Sequence, residues 1–180
     1  MCDNFVHAVS VTHMQSIVAL LWRIATFKAG PETIPFRPFL ATSLVVINIA
    51  TTSMIYLLVS DAPLLQAVST ALVGLAVTAG LTWALLSSMG HKERFMQTLT
   101  AMVGTDLIVG LIQSVAFPIT QMMSQTLAMV ILLATTFWAI AIYGFIFHRA
   151  LNIHAGLSFG IAFIFYVVSL SMTGFVLPQT

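Results

Sequence analysis

Charge is what this chain has least of. Only 6% of its 180 residues are Asp, Glu, Lys or Arg, whereas an ordinary soluble domain carries about a quarter, and 59% are hydrophobic. A water-soluble fold is excluded, because a surface drawn from this composition would be almost wholly apolar. Six Lys and Arg stand against five Asp and Glu, a formal net charge of +1. There is no basic field of the kind that holds nucleic acid. Cysteine is nearly absent too: Cys2 alone cannot close an internal disulfide, so cysteine usage says nothing of the redox compartment. The opening "MCDNFVHAVS" has no Lys or Arg and leads into no compact apolar core with a small-residue cleavage site, so we expect a retained N-terminus rather than a secretory signal. Catalytic signatures are also missing. There is no glycine-rich phosphate loop, no two-histidine helix with an acid, no nucleophile elbow and no pair of carboxylates on one helix face. An enzyme is therefore disfavoured, and no cofactor is expected.

What the chain does have is long apolar runs. A helix crossing the hydrocarbon layer needs about 20 mainly apolar residues at about 1.5 Å each. Five stretches qualify, at 39–59, 64–87, 96–117, 122–147 and 153–177. Pro31, Pro35, Pro38, Pro63, Pro118 and Pro178 all fall between or at the ends of these runs, where a missing N–H costs little. The last two runs are separated only by "FHRALNIHAG". The expected architecture is an all-α membrane protein, with a five-helix transmembrane domain over 39–180 and a cytoplasmic amphipathic helix and linker over 1–38.

The cationic side chains orient it. Arg23, Lys28 and Arg37 precede the first run, Lys92 and Arg94 lie between the second and third, and Arg149 lies between the fourth and fifth. An odd number of crossings puts all six on one face, which the positive-inside rule assigns to the cytoplasm. The N-terminus is then inside and the C-terminus outside. Ahead of the first run, Met14, Ile17, Val18, Leu21, Ile24 and Ala25 recur at three- and four-residue steps, with Thr12, Ser16, Ala19, Arg23 and Thr26 on the opposite stripe. This predicts a helix lying in the membrane surface with its apolar face on lipid, ended by "AGPETIPFRP"; a docking helix for a protein partner is the alternative.

The third run holds Asp106 near its centre. An ionised carboxylate there costs about 2.5–3.5 kcal/mol or more, so Asp106 is expected to be protonated, paired or turned toward the bundle interior. Asp106, Gly110 and Gln113 share one helical stripe, and Asn48, near the middle of the first run, is the expected amide partner. Three roles stay open: a helix-to-helix hydrogen bond, a proton or ion relay, and a site facing a partner subunit that supplies a cation. His7, His13, His91, His148 and His154 all fall outside the spans. Neither a bis-imidazole haem nor a clustered metal site is expected from them. Gly156 and Gly160, one turn apart, read as a close-packing pair within the bundle, as do Ala67, Ala71 and Gly74. Trp83, Trp138 and the phenylalanines read as interface anchors or as the lining of a groove for a lipid or apolar cofactor.

The passages "AGPETIPFRP", "HKERFMQTLTAMVGTD" and "FWAIAIYGFIFHRALNIHAGLSFGIAF", taken in order, resemble small bacterial members of the Yip (Ypt-interacting protein) family, with "RFMQTLTAMVGTD" the most specific piece. The resemblance implies five spans, a cytoplasmic N-terminus and a C-terminus on the far side. Eukaryotic relatives bind Rab GTPases, but their "DLYGP" type of motif is absent here, so GTPase binding is not carried over. It implies a bacterial inner-membrane protein that is a non-enzymatic accessory, assembly or scaffolding subunit, with other integral membrane proteins and lipid as partners. The expected contact surfaces are the surface helix, the polar stripe around Asp106 and the basic residues Arg23, Lys28, Lys92, Arg94 and Arg149. The alternative is a small proton- or solute-conducting protein with a pathway past Asp106.

Overall fold

The structure, a computed structural model, describes residues 17–35, 37–60, 63–122 and 124–174. Cys2, His7, Thr12, His13, Met14 and Ser16 lie outside the described residues. The described residues are helical and contain no strand. A first helix α1 covers 17–25; it is followed by α2 (Pro38–Ser60), α3 (Leu64–Ser88), α4 (Phe95–Gln121), α5 (Gln125–Leu151) and α6 (Ala155–Gly174). Short 3-10 turns at Pro31–Thr33 and Lys92–Arg94 lead into α2 and α4.

Helices α2 to α6 are each long and apolar enough to cross a membrane. In lipid the backbone has no water to bond, so an uninterrupted run of intrahelical hydrogen bonds is the form in which such segments are stable. Two helices run four residues past their expected ends. α4 continues past Pro118 to Gln121, because a proline's φ already suits a helix and a single lost N–H near the terminus is a small defect. α5 runs to Leu151 rather than 147, with His148 and Arg149 in its last turn favourably placed at the negative end of the helix dipole. Asn152, at φ 53°, then supplies the left-handed residue that ends it.

α4 is the hub, packing against α2, α3 and α5, while α6 closes the bundle against α3 and α5. Because the helices alternate in direction, the start of α2, the α3–α4 turn and the α5–α6 turn share one end. Arg37, Lys92, Arg94 and Arg149 lie there, and we call it the basic end. The best-packed core also lies toward this end: Leu86, Ala101, Met102, Val103, Ile142, Ile146 and Phe147 are almost wholly enclosed.

The lead-in belongs to that core. Leu21, Ile24 and Ala25 of α1, with Ala29 and Ile34 after it, are buried in the same cluster as the spanning helices. Gly104 of α4 leaves the space for Leu21, whose side chain would collide with a Cβ there. The Trp138 indole N–H donates to the Ala25 carbonyl at 3.1 Å, and Phe27 meets Phe145 edge-on at 5.5 Å between ring centres. The expectation that this apolar stripe faces lipid is thereby corrected. The stripe is real, but small residues on α4 and a long aromatic on α5 make a seat for it within the protein. Val18, Trp22 and Arg23 remain on the outward side.

Candidate functional site

Asp106 stands roughly 16 Å along α4 from Phe95, at about 1.5 Å per residue, and so near the middle of its span. Its partner is Tyr143 of α5, whose phenolic hydroxyl donates to Oδ2 at 2.7 Å. An aromatic wedge fixes that hydroxyl: the Tyr143 ring packs edge-on against Phe165 at 5.6 Å and Phe147 at 6.3 Å. The expected Asn48–Asp106 pair does not form. Asn48 sits level with the preceding turn of α4, where its amide donates to the Val103 carbonyl at 3.5 Å. Tyr143 was hidden in the sequence as one aromatic among many in "FWAIAIYGF", although a mid-span phenol needs a polar partner and that requirement was the available signal.

Asn48, Asp106, Gly110 and Gln113 nevertheless share a site, since all four line one half-open cavity of about 400 Å³. The cavity runs from Val103 and Asp106 toward Tyr56, Thr70, Gln113 and Thr173, away from the basic end. Gly110 keeps it wide rather than sealing a contact, because a Cβ there would only touch Ile55 at 3.6 Å. Each spanning helix contributes polar groups, among them Thr52, Thr78, Thr136 and Tyr166. The hydroxyl hydrogens of Thr70 and Thr173 go to their own helix backbones at Gln66 and Ser169, so these side chains turn acceptor lone pairs to the space. The Ser169 hydroxyl is enclosed and bonds no protein group. A carboxylate lines the cavity, and among the described residues no Lys, Arg or His does. From the cavity toward the basic end, Met102, Val103, Ile142 and Phe147 are buried.

Other expected residues lie elsewhere. Gly156 and Gly160 are exposed; nothing is near a Cβ on Gly160, and Gly156 faces only its neighbour His154. The packed stripe of α6 is Ser158, Ala162 and Phe165, which begins two residues on, about 200° round the helix. The tight α5–α6 contact instead uses Gly144, where a Cβ would lie 2.6 Å from the Phe159 ring. On α3, Ala67 and Ala71 are buried and Gly74 approaches Thr173, as read from the sequence.

All six Lys and Arg, namely Arg23, Lys28, Arg37, Lys92, Arg94 and Arg149, are exposed. Arg94 donates to the Ala150 carbonyl at 2.9 Å, and Arg149 pairs with Glu32, so each ties two elements together at the basic end. The described histidines lie at that end too: His91 is 3.8 Å from Glu93, and His148 Nδ1 is 2.6 Å from the Ile153 carbonyl. Trp83 is exposed, whereas the Trp138 indole is tied to Ala25. Compared with models of known families, with curated proteins and with solved structures, the chain has no match.

Proposed function

We propose that this chain is a non-enzymatic multi-pass membrane protein that takes a small neutral or cationic polar solute into the cavity beside Asp106. One observation carries the reading: a polar-lined space of about 400 Å³ sits among five apolar helices, within the range of about 300–1,000 Å³ usual for small-molecule sites. Among the described residues its lining includes a carboxylate and no base, which disfavours anions and suits hydroxyl, amide or ammonium groups. Polar groups at this depth are costly, and their commonest use is a solute or ion pathway. The packed layer at Met102 and Phe147 makes the space a dead end, so passage through it requires a second arrangement of the helices. With the basic end in the cytoplasm of a bacterial inner membrane, the cavity opens outward.

The test is uptake into liposomes containing the purified protein, with erythritol, urea, ethylammonium and protons as probes. Protein-dependent entry of at least one, lowered about tenfold by Asp106→Asn as expected for loss of a charge-assisted contact, supports the reading. Equal entry with and without protein overturns it.

The accessory-subunit reading has its own supporting observation. In the first half of α5, Leu127, Met129, Val130, Leu132, Leu133 and Phe137 are exposed, spread around the helix. Such a helix end suits contact with another integral membrane protein, and the resemblance to Yip proteins points the same way. A partner that stays in fixed proportion through mild detergent, and is lost on placing charge at Leu132 or Val130, would favour this reading over the first.

A further inference from the structure

The basic end holds a second recess, of about 580 Å³, separate from the cavity beside Asp106 and lined by Glu32, Arg94, Gln97, His148, Arg149 and Asn152. We propose that this recess binds a phosphate-bearing anion, with Arg94 and Arg149 as its two cationic arms and Glu32 as a built-in competitor for the same place.

The arms come from different elements. Arg94 ends the 3-10 turn before α4, and Arg149 lies in the last turn of α5. No side chain caps the start of α4, so the positive end of its dipole stands beside Arg94. Gln97, in the first turn of α4, and Asn152, just beyond α5, add amide donors to the lining. Arginine presents several N–H groups in a planar fork that matches oxyanions, and basic recesses between spanning helices at a membrane face suit lipid headgroups.

Glu32 shows what the recess accepts. Its Oε1 takes hydrogen bonds from Arg149 Nε, at 3.1 Å, and from Nη2. A carboxylate belonging to the lead-in thus already occupies one guanidinium. Arg94 commits Nη1 to the Ala150 carbonyl, and among the described residues no acid faces the rest of its fork. A phosphate group has more oxygens and more charge than a carboxylate, so it can bridge both arginines where Glu32 reaches one. Binding then frees Glu32, and with it a tie between the Pro31–Thr33 turn and α5.

The phosphate can come from a lipid headgroup or from solution, and two arms of one experiment separate these. Purified protein in a phosphate-free maltoside is titrated with inorganic phosphate in one arm and with phosphatidylglycerol in mixed micelles in the other, following thermal stability. We expect saturable stabilisation in at least one arm. Response to the lipid alone identifies a headgroup site, and saturable response to inorganic phosphate identifies a soluble ligand. Arg94→Gln and Arg149→Gln each weaken binding about tenfold, the loss of one charge-assisted pair. Glu32→Gln strengthens it, because the competitor is gone, and Asp106→Asn leaves it unchanged. Should Arg149→Gln fail to fold, Arg94→Gln set against charge-keeping Arg94→Lys makes the same test, with Lys recovering part of the binding. Absence of saturable stabilisation in both arms, or stabilisation indifferent to Arg94→Gln, overturns the proposal.

Discussion

The two halves of this bundle are built on opposite rules. Toward the basic end, side chains from α1, α3, α4 and α5 enclose one another completely: Ile24, Leu86, Met102, Ile146 and Phe147 are all at 0% exposure. Toward the other end helices α2 to α6 draw apart around a cavity lined by hydroxyl, amide and carboxyl groups among aliphatic ones, and α5 stands with its first turns exposed. Lipid tails are as apolar as leucine, so neither half is held by the hydrophobic effect in its aqueous sense. The packed half rests on close van der Waals contact, which the small residues Gly104 and Gly144 make possible. The cavity half is held by its attachment to the packed half, with two polar contacts between helices at the joint, Tyr143 to Asp106 and Asn48 to Val103. One half is a foundation and the other a vessel.

That contrast fails first if the foundation tolerates holes. Phe147→Ala removes a fully enclosed ring that also wedges Tyr143. In water such a change costs about 3–5 kcal/mol; in lipid the transfer part shrinks and the cavity part remains, so we expect about 2 kcal/mol or more. Reversible unfolding in mixed micelles measures it, and a cost near zero would mean that the two halves are equally loose. Next in size is Ile24→Ala, expected to cost about 1–2 kcal/mol on the same reasoning. It asks whether the lead-in is part of the foundation: an unchanged stability would return α1 to the membrane surface, where its sequence pattern alone had put it.

Tyr143→Phe probes the joint between the halves. It deletes the donor to Asp106 Oδ2 while keeping the ring against Phe165. Interhelical hydrogen bonds in membranes average about 0.6 kcal/mol, and we expect a loss of that order. A loss as large as that of Phe147→Ala would show that the polar pair, not the packing, holds α4 to α5.

The halves were not equally legible in the sequence. Five spans could be read because hydropathy and the positions of prolines record what each helix meets on its own, and lipid imposes the same demand along every span. The shared stripe of Asp106, Gly110 and Gln113 was readable for a related reason: it lies within one helix, where spacing fixes the face. Partner choice between helices was not. Asn48 and Tyr143 are both mid-span polar groups, and only the relative depth of α2, α4 and α5 decides that Tyr143 meets the carboxylate while Asn48 meets Val103. The same limit applies to Gly156 and Gly160, whose spacing fits a packing motif on a face that α6 turns outward. Whether an apolar stripe meets lipid or protein is invisible in the stripe itself, and α1 illustrates this: its pattern was readable and its seat was not.

The smallest expected effect is also the one with a distinctive sign. Ser169 lies on the cavity wall with its hydroxyl enclosed and bonded to no protein group. Buried hydroxyls without partners cost free energy in the folded state, and enclosed polar groups are nearly always bonded, to protein or to an ordered molecule. Ser169→Ala removes that cost along with the group. In the empty protein the change is therefore expected to be neutral or slightly stabilising, within about 0.5 kcal/mol, against the losses predicted for the packed half. With a bound polar solute the sign reverses, because the hydroxyl then has a partner to lose. Measuring stability of Ser169→Ala with and without the solute that enters liposomes gives two numbers whose difference belongs to the cavity alone. If the substitution destabilises the empty protein as much as Ile24→Ala does, the Ser169 wall is tightly packed core and the division into foundation and vessel is wrong at its clearest point.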